Sequence, residues 1–475
     1  MAFFSKENPD LKESDQLLKP DKNGLITFVK NFRMTFHDLN IKKPILNALD
    51  ELEYTVPTTI QSAGFSVMMS GKDVIGLAQT GTGKTLAYLL PCLSMWKFSK
   101  EPHPQILIIV PTRELVVQVV REVEKLTPYM NVVVGGVYGG ANISTQSAMV
   151  LQGLDILVGT PGRIFDLAAN GSLQFKHIKK VVIDEVDETL NLGFRPQLMR
   201  IFELLPLKRQ NLLFSATLSE EVATFIEAYF ENPIKVEAAR AGTPLEKIKQ
   251  EAISVPNFTS KVNLLNHLLE ENKDMTKVLV FVSSRVLAEK LFDELEPVFN
   301  VELGIIHSQK AQNFRFNAVN HFQNGIYRVL IATDLIARGI DVTDVTHVIN
   351  FDIPDNTENY IHRIGRTGRQ DKDGHAITFL AEKDKEFFGK IEEFMNKQVD
   401  IQDFPEEAEL SELVLEFEKP QVAMKNTLVK TPKDQTGPAF HEKKDKNKKV
   451  NVRYNHKKAM QDKYGKPKKR GSKKK

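Results

Sequence analysis

The sequence is almost free of cysteine: Cys92 is the only one in 475 residues. A single thiol excludes an intramolecular disulfide and is typical of a reducing compartment. The chain also lacks an apolar run of the roughly 20 residues that a membrane-spanning helix requires. Its first residues, MAFFSKENPD, do not combine a basic start with an apolar core, so they do not resemble a secretory signal. We therefore expect a cytoplasmic protein without membrane partners.

The net charge of +3 is unevenly distributed. Residues 421–475 contain 19 Lys and Arg against 4 Asp and Glu, a balance of +15 that leaves −12 for the first 420 residues. A lysine-rich segment with few apolar side chains predicts a disordered tail. This tail is either a solubilising terminus or a tether for nucleic acid, since each neutralised phosphate releases a counterion.

Short apolar runs alternate with longer segments of mixed polarity in the rest of the chain. Continuous runs of Val, Ile and Leu are typical of strands buried on both faces, and amphipathic segments of helical length lie between them. The runs are at 106–110, 155–159, 181–184, 211–215, 278–282, 301–306, 328–332, 347–351 and 376–380. This pattern predicts an α/β fold with mostly parallel sheets.

A break in this pattern divides the chain, whose length exceeds what one hydrophobic core usually serves. The segment EAARAGTPLEK (237–247) has Gly and Pro but no periodicity, as in a linker. We therefore predict two α/β domains. The expected organisation is an N-terminal extension (1–33), a first domain (34–238), a linker (239–247), a second domain (248–385), an acidic extension (386–420) and the basic tail (421–475).

The segment AQTGTGKT (78–85) follows the apolar sequence DVIG and fits the phosphate-binding spacing GxxxxGK[ST] at every fixed position but the first. Gly81 and Gly83 would let backbone N–H groups converge on phosphate oxygens, at the positive end of a helix. Lys84 would reach the terminal phosphates, and the Thr85 hydroxyl is a ligand for Mg²⁺. A Gly-rich turn without a ligand is the alternative, which the spacing and a suitable partner motif disfavour.

That partner motif is VVIDEVDE (181–188), an apolar strand that ends in carboxylates. Asp184 would hold the Mg²⁺ that bridges the phosphates, and Glu185 would orient and deprotonate the attacking water. Acidic residues after a strand are common, so this motif is weak evidence by itself and becomes strong only together with the phosphate-binding segment. The two motifs together predict hydrolysis of a nucleoside triphosphate.

Three arginines recur every third residue in HRIGRTGR (362–369), without an acidic residue among them. Arg363, Arg366 and Arg369 could therefore share one side, where they would require an anion. Planar guanidinium groups complement the charge that develops on a transferred phosphoryl group. Because this motif lies in the second domain, we infer that Arg366 and Arg369 are arginine fingers that act across a cleft. A patch for RNA phosphates is the alternative.

With these motifs, the chain resembles the DEAD-box RNA helicases of superfamily two over about residues 36–382, with DEVD in place of DEAD. The first domain has Phe36, YTVPTTIQ (54–61), AQTGTGKT, PTREL (111–115), GG (139–140), TPGR (160–163), DEVD (184–187) and SAT (215–217). The second has VFVSSR (280–285), QNFR (312–315), ATDLIARGID (332–341) and HRIGRTGR. The resemblance implies two tandem RecA-like domains, each a mostly parallel sheet flanked by helices.

The resemblance also implies a site for ATP and Mg²⁺. Gln61 would read the adenine edge, Tyr54 would stack on the base, Phe36 would support both by packing, and Asp341 would contact the ribose. The implied ATP-binding set is Phe36, Tyr54, Gln61, Ala78, Gln79, Thr80, Gly81, Thr82, Gly83, Lys84, Thr85 and Asp341, where alanine at 78 is the family's usual form. The metal residues are Thr85 and Asp184, and the catalytic residues are Lys84, Asp184, Glu185, Arg366 and Arg369.

A second set of residues would couple the ATP site to RNA. The coupling residues implied are Asp187, Ser215, Thr217, Arg338 and His362. The RNA-binding residues implied are Pro111, Thr112, Arg113, Gly140, Thr160, Arg163, Arg285, Gln312, Arg315, Thr333 and Asp334. Such polar and basic groups hold phosphates and 2′-hydroxyls but read no base edges, so single-stranded or short duplex RNA would bind without sequence preference. Ribosomal or RNA-processing assemblies are further candidate partners.

The function that the resemblance implies is an RNA-stimulated ATP hydrolase that locally unwinds or remodels RNA and RNA–protein complexes. The one departure from the family motif, Val186 in place of alanine, leaves the carboxylates in place, and we expect little catalytic cost. A DNA helicase and a non-enzymatic, ATP-gated RNA clamp are the alternatives. The adenine-reading Gln61 disfavours the first, and Glu185 with both fingers disfavours the second.

The basic tail gives a first testable prediction. Deleting residues 421–475 should weaken RNA binding most at low salt, where unscreened lysines contribute most. Maximal ATP turnover should stay nearly intact. Binding titrations over a range of salt concentrations check this, and equal RNA affinity with and without the tail would rule out the tether.

Overall fold

The computed structural model describes residues 34–78, 81–237, 248–334, 345–368 and 374–418, together with the backbone of 25–26 and residues 463 and 465. Within the compact unit Met1–Glu418, the described residues form two lobes: lobe 1 (25–26 and 34–237) and lobe 2 (248–418). Several expectations lie outside the described residues: those for Gln79, Thr80, Arg338, Asp341 and Arg369, the linker, nearly all of the N-terminal extension and nearly all of the basic tail.

Lobe 1 is built on a sheet of eight described strands. They are β1 (Leu25–Ile26), β2 (Val74–Leu77), β3 (Ile106–Ile109), β4 (Val134–Val137), β5 (Ile156–Gly159), β6 (Lys180–Ile183), β7 (Gln210–Ser215) and β8 (Ile234–Glu237). The strand order is β1-β8-β2-β7-β6-β3-β5-β4, and every neighbouring pair is parallel. Successive side chains of β3 enter opposite apolar cores, Ile106 one and Leu107 the other, because the sheet is covered on both faces.

The helices of lobe 1 cover these two faces. They are α1 (Lys43–Glu51), α2 (Thr59–Met69), α3 (Lys84–Met95), α4 (Arg113–Leu126), α5 (Ile143–Gln152), α6 (Pro161–Ala169), α7 (Val186–Asn191), α8 (Arg195–Leu204) and α9 (Glu220–Tyr229). A 3-10 turn, Phe36–Asp38, precedes α1.

Lobe 2 repeats this architecture with seven described strands and five described helices. The strands are β9 (Ile248–Ser254), β10 (Val278–Val282), β11 (Leu303–Ile306), β12 (Val329–Thr333), β13 (His347–Asn350), β14 (Gly374–Leu380) and β15 (Asp400–Gln402). The helices are α10 (Phe258–Glu271), α11 (Arg285–Phe299), α12 (Gln312–Gln323), α13 (Thr357–Ile364) and α14 (Lys385–Met395). The strand order is β11-β12-β10-β13-β14-β9-β15, again parallel throughout.

Several helices that follow a strand begin on a residue whose side chain caps them. The Thr112 hydroxyl accepts a hydrogen bond from Leu115 N at the start of α4, and the Ser284 hydroxyl accepts one from Leu287 N at the start of α11. These side chains satisfy N–H groups that have no partner within the helix. The capped helix starts therefore lie at the carboxyl edge of each sheet, where ligands bind in such folds.

The predicted fold class is confirmed, since both sheets are parallel and flanked by helices. All nine apolar runs form strands. Strands β4 and β9 gave no such signal, because β4 reads VGGV and β9 has charged and polar residues between its buried ones. No helix in the described part of the chain is long and apolar enough to cross a membrane.

The structure extends the second domain beyond residue 385 to residue 418. Strand β15 pairs with β9, and the following residues 404–418, here called the strap, lie along α10. Glu418 Oε1 accepts a hydrogen bond from Phe258 N (2.6 Å), and the Phe417 ring packs edge-on against Phe258. Lys290 Nζ lies 4.0 Å from the centre of the Phe417 ring. The acidic extension is thus part of lobe 2 through Glu418.

The strap gives a second prediction. Replacing Glu418 with Ala should remove the acceptor for Phe258 N and speed amide exchange in the first turn of α10 by about tenfold, since a hydrogen bond to a charged group contributes about 1.5 kcal/mol. Hydrogen exchange with mass spectrometry measures this. Glu416→Ala is the matched control, because Glu416 is exposed on the same 3-10 turn. Equal exchange in both variants would contradict the contact.

Candidate nucleotide and RNA site

The phosphate loop joins the carboxyl end of β2 to the start of α3. Gly81 and Gly83 have φ angles of +84° and +85°, in the left-handed region that favours glycine. Helix α3 begins at Lys84, which is 7% exposed. Burial raises the pKa of Asp184 and the Lys84 charge acts against this rise, so the ammonium group lies near this carboxylate.

Gln61 connects the phosphate loop to the loop before α2. Its Oε1 accepts a hydrogen bond from Thr58 N (2.9 Å), and its Nε2 donates to Gly83 O (3.1 Å). A Cβ atom at Gly83 would overlap the Gln61 amide. Gln61 is therefore held directly against the phosphate loop, at 4% exposure.

The two aromatic residues expected near the base differ in burial. Phe36 is 2% exposed, and its N–H donates to Thr55 O at 3.2 Å. Tyr54, which precedes Thr55 in the chain, is 38% exposed. Phe36 thus packs beneath the loop that carries Tyr54, and the Tyr54 ring keeps an accessible face.

Asp184 and Glu185 follow β6 and are both buried. Burial raises the pKa of Asp184, and it raises the pKa of Glu185 to about 7, a shift that the neighbouring Asp184 charge reinforces. Glu185 has φ +50°, a left-handed conformation that is uncommon outside glycine, asparagine and aspartate. A carboxylate with a pKa near 7 is suited to accept a proton at neutral pH.

Arg366 brings a positive charge from lobe 2 to this carboxylate. It is 4% exposed, and its Nε donates to His362 O (3.2 Å) at the end of α13. Burial raises the pKa of Glu185, and the charge of Arg366, with that of Lys84, acts against this rise, so Arg366 acts across the boundary between the lobes. Its predicted companion Arg369 lies outside the described residues.

The expectation that three arginines share one side is wrong for Arg363. This side chain is 2% exposed and points into lobe 2, where its Nε and Nη2 donate to the two carboxylate oxygens of Asp334 at 2.5 and 2.7 Å. It also donates to Asp352 O and lies over the Phe281 ring. Its anion is therefore a neighbouring aspartate, and the bidentate pair fixes Asp334, one of the residues expected to contact RNA.

Asp187 joins three of the predicted coupling residues. Its Oδ2 accepts hydrogen bonds from Thr217 N (3.0 Å), Thr217 Oγ1 (3.1 Å) and Ala216 N (3.0 Å). Burial acts to raise the pKa of Asp187. The charges of His362, from lobe 2, and of Lys84 act in the opposite direction, and the pKa is lowered overall. Ser215 is fully buried beside them. This network therefore links α7, the turn after β7 and α13.

The residues predicted to bind RNA all lie at the carboxyl edges of the two sheets, but their exposure differs. Arg163 is 8% exposed, and its guanidinium donates to Gln146 Oε1 (2.6 Å) and Ala141 O (3.0 Å). Thr160 precedes α6 and is buried, whereas Arg285 is exposed at the start of α11. Pro111 and Thr112 are buried and directly precede α4, and Thr333 is half-buried at the end of β12.

Four of these residues meet at one contact between the lobes. Arg113 Nη1 donates to Gln312 Oε1 (3.3 Å), and the Arg113 guanidinium lies against Gly140. Gln312 Nε2 donates to Glu114 Oε1 (3.2 Å), and Arg315 Nη2 lies 3.1 Å from the same oxygen. Glu114 was not expected to have a role, although it lies inside PTREL. Glu114 supplies the acidic partner for these basic and amide groups. The sequence did not indicate this role, because the partners Gln312 and Arg315 come from the other lobe.

Val186, the departure from the DEAD motif, is fully buried. It packs in the apolar cluster that also holds Ile183, Leu190 and Val222. The larger side chain therefore occupies the core beneath the carboxylates and not the site itself.

Comparisons with known proteins agree with this geometry. The family model of the DEAD/DEAH box helicases matches residues 58–225, and that of the helicase conserved C-terminal domain matches residues 260–371. The RNA helicase RhlB of Shewanella frigidimarina is 36% identical over 80% of this chain and 88% of its own length. The RNA helicase eIF4A of Scheffersomyces stipitis is 35% identical over 82% of this chain and 97% of its own length. The chain belongs to the DEAD-box family of ATP-dependent RNA helicases.

Solved structures of the same family share the fold of this DEAD-box protein. S. cerevisiae Dbp5 bound to RNA and ADP BeF3 has a TM-score of 0.71 at 27% identity and covers 78% of this chain and 95% of its own. Mss116p bound to ssRNA and AMP-PNP has a TM-score of 0.73 at 26% identity, over 80% and 82% of the two chains. The tandem RecA-like architecture predicted from the motifs is thereby confirmed.

The raised pKa of Glu185 gives a third prediction. Only the ionised carboxylate can accept a proton, and its pKa of about 7 lies well above the usual range for glutamate. ATP turnover by this DEAD-box protein should therefore fall below pH 7, approaching about tenfold per pH unit, and level off above it. Turnover at saturating ATP and RNA measures this, with nucleotide binding over the same range as the control. A rate that stays constant down to about pH 6 would contradict the assignment of Glu185 as the base.

Proposed function

We propose that this protein couples ATP binding and hydrolysis to the local unwinding or remodelling of RNA and RNA–protein complexes. The observation that carries the proposal is the charge of Arg366, in lobe 2, acting on the buried Glu185 of lobe 1. A base on one lobe and a cation on the other form a complete hydrolytic site only when the lobes are together. Hydrolysis thereby depends on the relative position of the lobes, which is what coupling to RNA requires.

The donor set present fits Mg²⁺. The Thr85 hydroxyl and the Asp184 carboxylate are oxygen ligands, and no group of three or more His, Cys, Asp or Glu side chains within the described ranges could enclose a metal by itself. Mg²⁺ usually keeps several waters and binds through one or two carboxylates plus substrate phosphates. When bound, the ion would neutralise charge on the β- and γ-phosphates of ATP.

The remaining groups act on ATP as follows. Backbone N–H groups of the phosphate loop and the start of α3 bind the phosphates, and Lys84 neutralises their charge. Glu185 orients the attacking water and takes its proton, while Arg366 stabilises the charge on the transferred phosphoryl group. Arg369, Asp341 and Arg338 remain predictions of the resemblance. Gln61 would read the adenine and Tyr54 would stack on it, and the hydrogen bond from Gln61 to Gly83 O supports the place of Gln61 at this site.

RNA would bind at the second contact between the lobes, around Glu114. Arg113, Gln312 and Arg315 are gathered there around Glu114, so a strand held by both lobes would meet all of them at once. ATP and RNA would then each favour the closed arrangement, and each would raise the affinity for the other. A strand that is bent in the closed groove cannot stay paired, which would separate a short duplex locally.

A strand-displacement assay tests this function. Short RNA duplexes are mixed with the protein and ATP, a non-hydrolysable ATP analogue, or no nucleotide. We expect separation with ATP, and turnover stimulated by RNA and not by DNA. Stimulation by DNA alone would favour the DNA helicase, whereas stable RNA retention without separation would favour the ATP-gated clamp.

Arg366 gives a fourth prediction. Replacing it with Ala should reduce RNA-stimulated ATP turnover by about 10³-fold or more, because arginine fingers contribute this much to phosphoryl transfer. ATP affinity should stay within a few-fold, since Lys84 and the phosphate loop belong to lobe 1. Turnover and equilibrium ATP binding measure the two effects. Unchanged turnover would refute the finger assignment.

The location and the physiological partners remain proposals as well. A cytoplasmic protein is consistent with its single cysteine, Cys92, which is buried. The basic tail would act as a second, salt-sensitive RNA contact, and ribosomal or RNA-processing assemblies would supply RNA of the required kind.

A further inference from the structure

Tyr88 carries a buried hydroxyl that the proposed mechanism does not use. It lies on α3, one turn beyond Lys84 and three residues beyond Thr85, so it faces the same side of the helix as the phosphate-site residues. The side chain is 0% exposed, and its ring packs against Phe214 with 5.3 Å between the ring centres. The ring alone accounts for the packing in this core.

The Tyr88 hydroxyl needs a separate explanation. Its oxygen is buried and lies at hydrogen-bond geometry from no described group. Leaving a buried polar group unpaired costs stability, so a core built only for packing would be better served by phenylalanine. An unpaired buried hydroxyl therefore indicates a site whose hydrogen bonds are completed when a ligand binds.

The surroundings identify that site. Asp184 and Thr85, the two residues proposed for Mg²⁺, both lie near the Tyr88 hydroxyl. A tyrosine hydroxyl is protonated at neutral pH and can therefore donate a hydrogen bond. Glu185 N donates to Asp184 Oδ1 at 2.9 Å, and Lys84 and Tyr88 lie near the same carboxylate.

We propose that Tyr88 is a positioning residue of the metal subsite, whose phenol O–H donates to the Asp184 carboxylate and orients it toward Mg²⁺. Groups that hydrogen-bond a metal-binding carboxylate fix its orientation, and their loss typically weakens metal binding about 10- to 100-fold. The proposal gives Tyr88 no part in the reaction itself: it acts through Asp184. This inference rests on the proposed function, because it requires that Asp184 serve the metal.

The experiment uses the full chain and a fluorescent ATP analogue. Binding is measured while Mg²⁺ is titrated, and again in excess chelator without Mg²⁺. For Tyr88→Phe we expect a half-saturating Mg²⁺ concentration about tenfold above that of the parent protein. The affinity without metal should stay within about twofold, because the phosphate loop and Lys84 are unchanged.

Tyr360→Phe is the matched control. Tyr360 is equally buried, but its hydroxyl has partners, Gln250 Oε1 at 3.3 Å and Thr378 Oγ1 at 3.4 Å, in lobe 2. This control should lower the thermal stability and leave the Mg²⁺ dependence unchanged. Tyr88→Phe should do the opposite, with equal or higher stability. A residue that only fills the core would not produce this reversal.

The possible failures are distinguishable. A half-saturating Mg²⁺ concentration for folded Tyr88→Phe within about twofold of the parent value would overturn the inference and leave the proposed function standing. An equal loss of affinity with and without metal would also overturn it, because Tyr88 would then support the phosphate loop in general. A parent protein without any Mg²⁺ dependence would instead refute the assignment of Thr85 and Asp184 to the metal.

Discussion

Three buried carboxylates, those of Asp184, Glu185 and Asp187, lie within four residues at the carboxyl end of one strand of lobe 1. Burial opposes the ionisation of each, so their charge depends on cations brought close by the fold. Lys84 supplies one such cation from the same lobe, whereas Arg366 and His362 supply two from the other. The electrostatic state of the site thus depends on both halves of the chain.

The same boundary between the lobes carries a second charged contact of a different kind. Around Glu114, the basic and amide groups of Arg113, Gln312 and Arg315 outnumber the single carboxylate. On the proposed function, the excess positive charge here would hold phosphates of RNA, whereas the buried carboxylates of the nucleotide site are balanced by Lys84, Arg366 and His362. ATP and RNA would then each strengthen the association of the lobes through separate groups.

Much of this site could be predicted because its residues are close in sequence. The spacing from Gly81 to Thr85 alone specifies a phosphate loop, and the apolar runs specify the strands that precede each motif. Contacts between distant segments could not be predicted in this way. The anion of Arg363 is Asp334, and the partners of Glu114 come from the other lobe nearly 200 residues away. Strands β4 and β9 were not predicted because glycines in β4 and polar residues in β9 interrupt the apolar pattern.

The close approach of Gln61 to Gly83 has an evolutionary consequence. No side chain fits at position 83 without displacing the Gln61 amide from the backbone that cradles the phosphates. On the proposed role of Gln61, recognition of the base and binding of the triphosphate would therefore depend on the same contact. A lineage that altered this glutamine to accept another base would at the same time disturb the phosphate loop, which would make a gradual change of nucleotide costly.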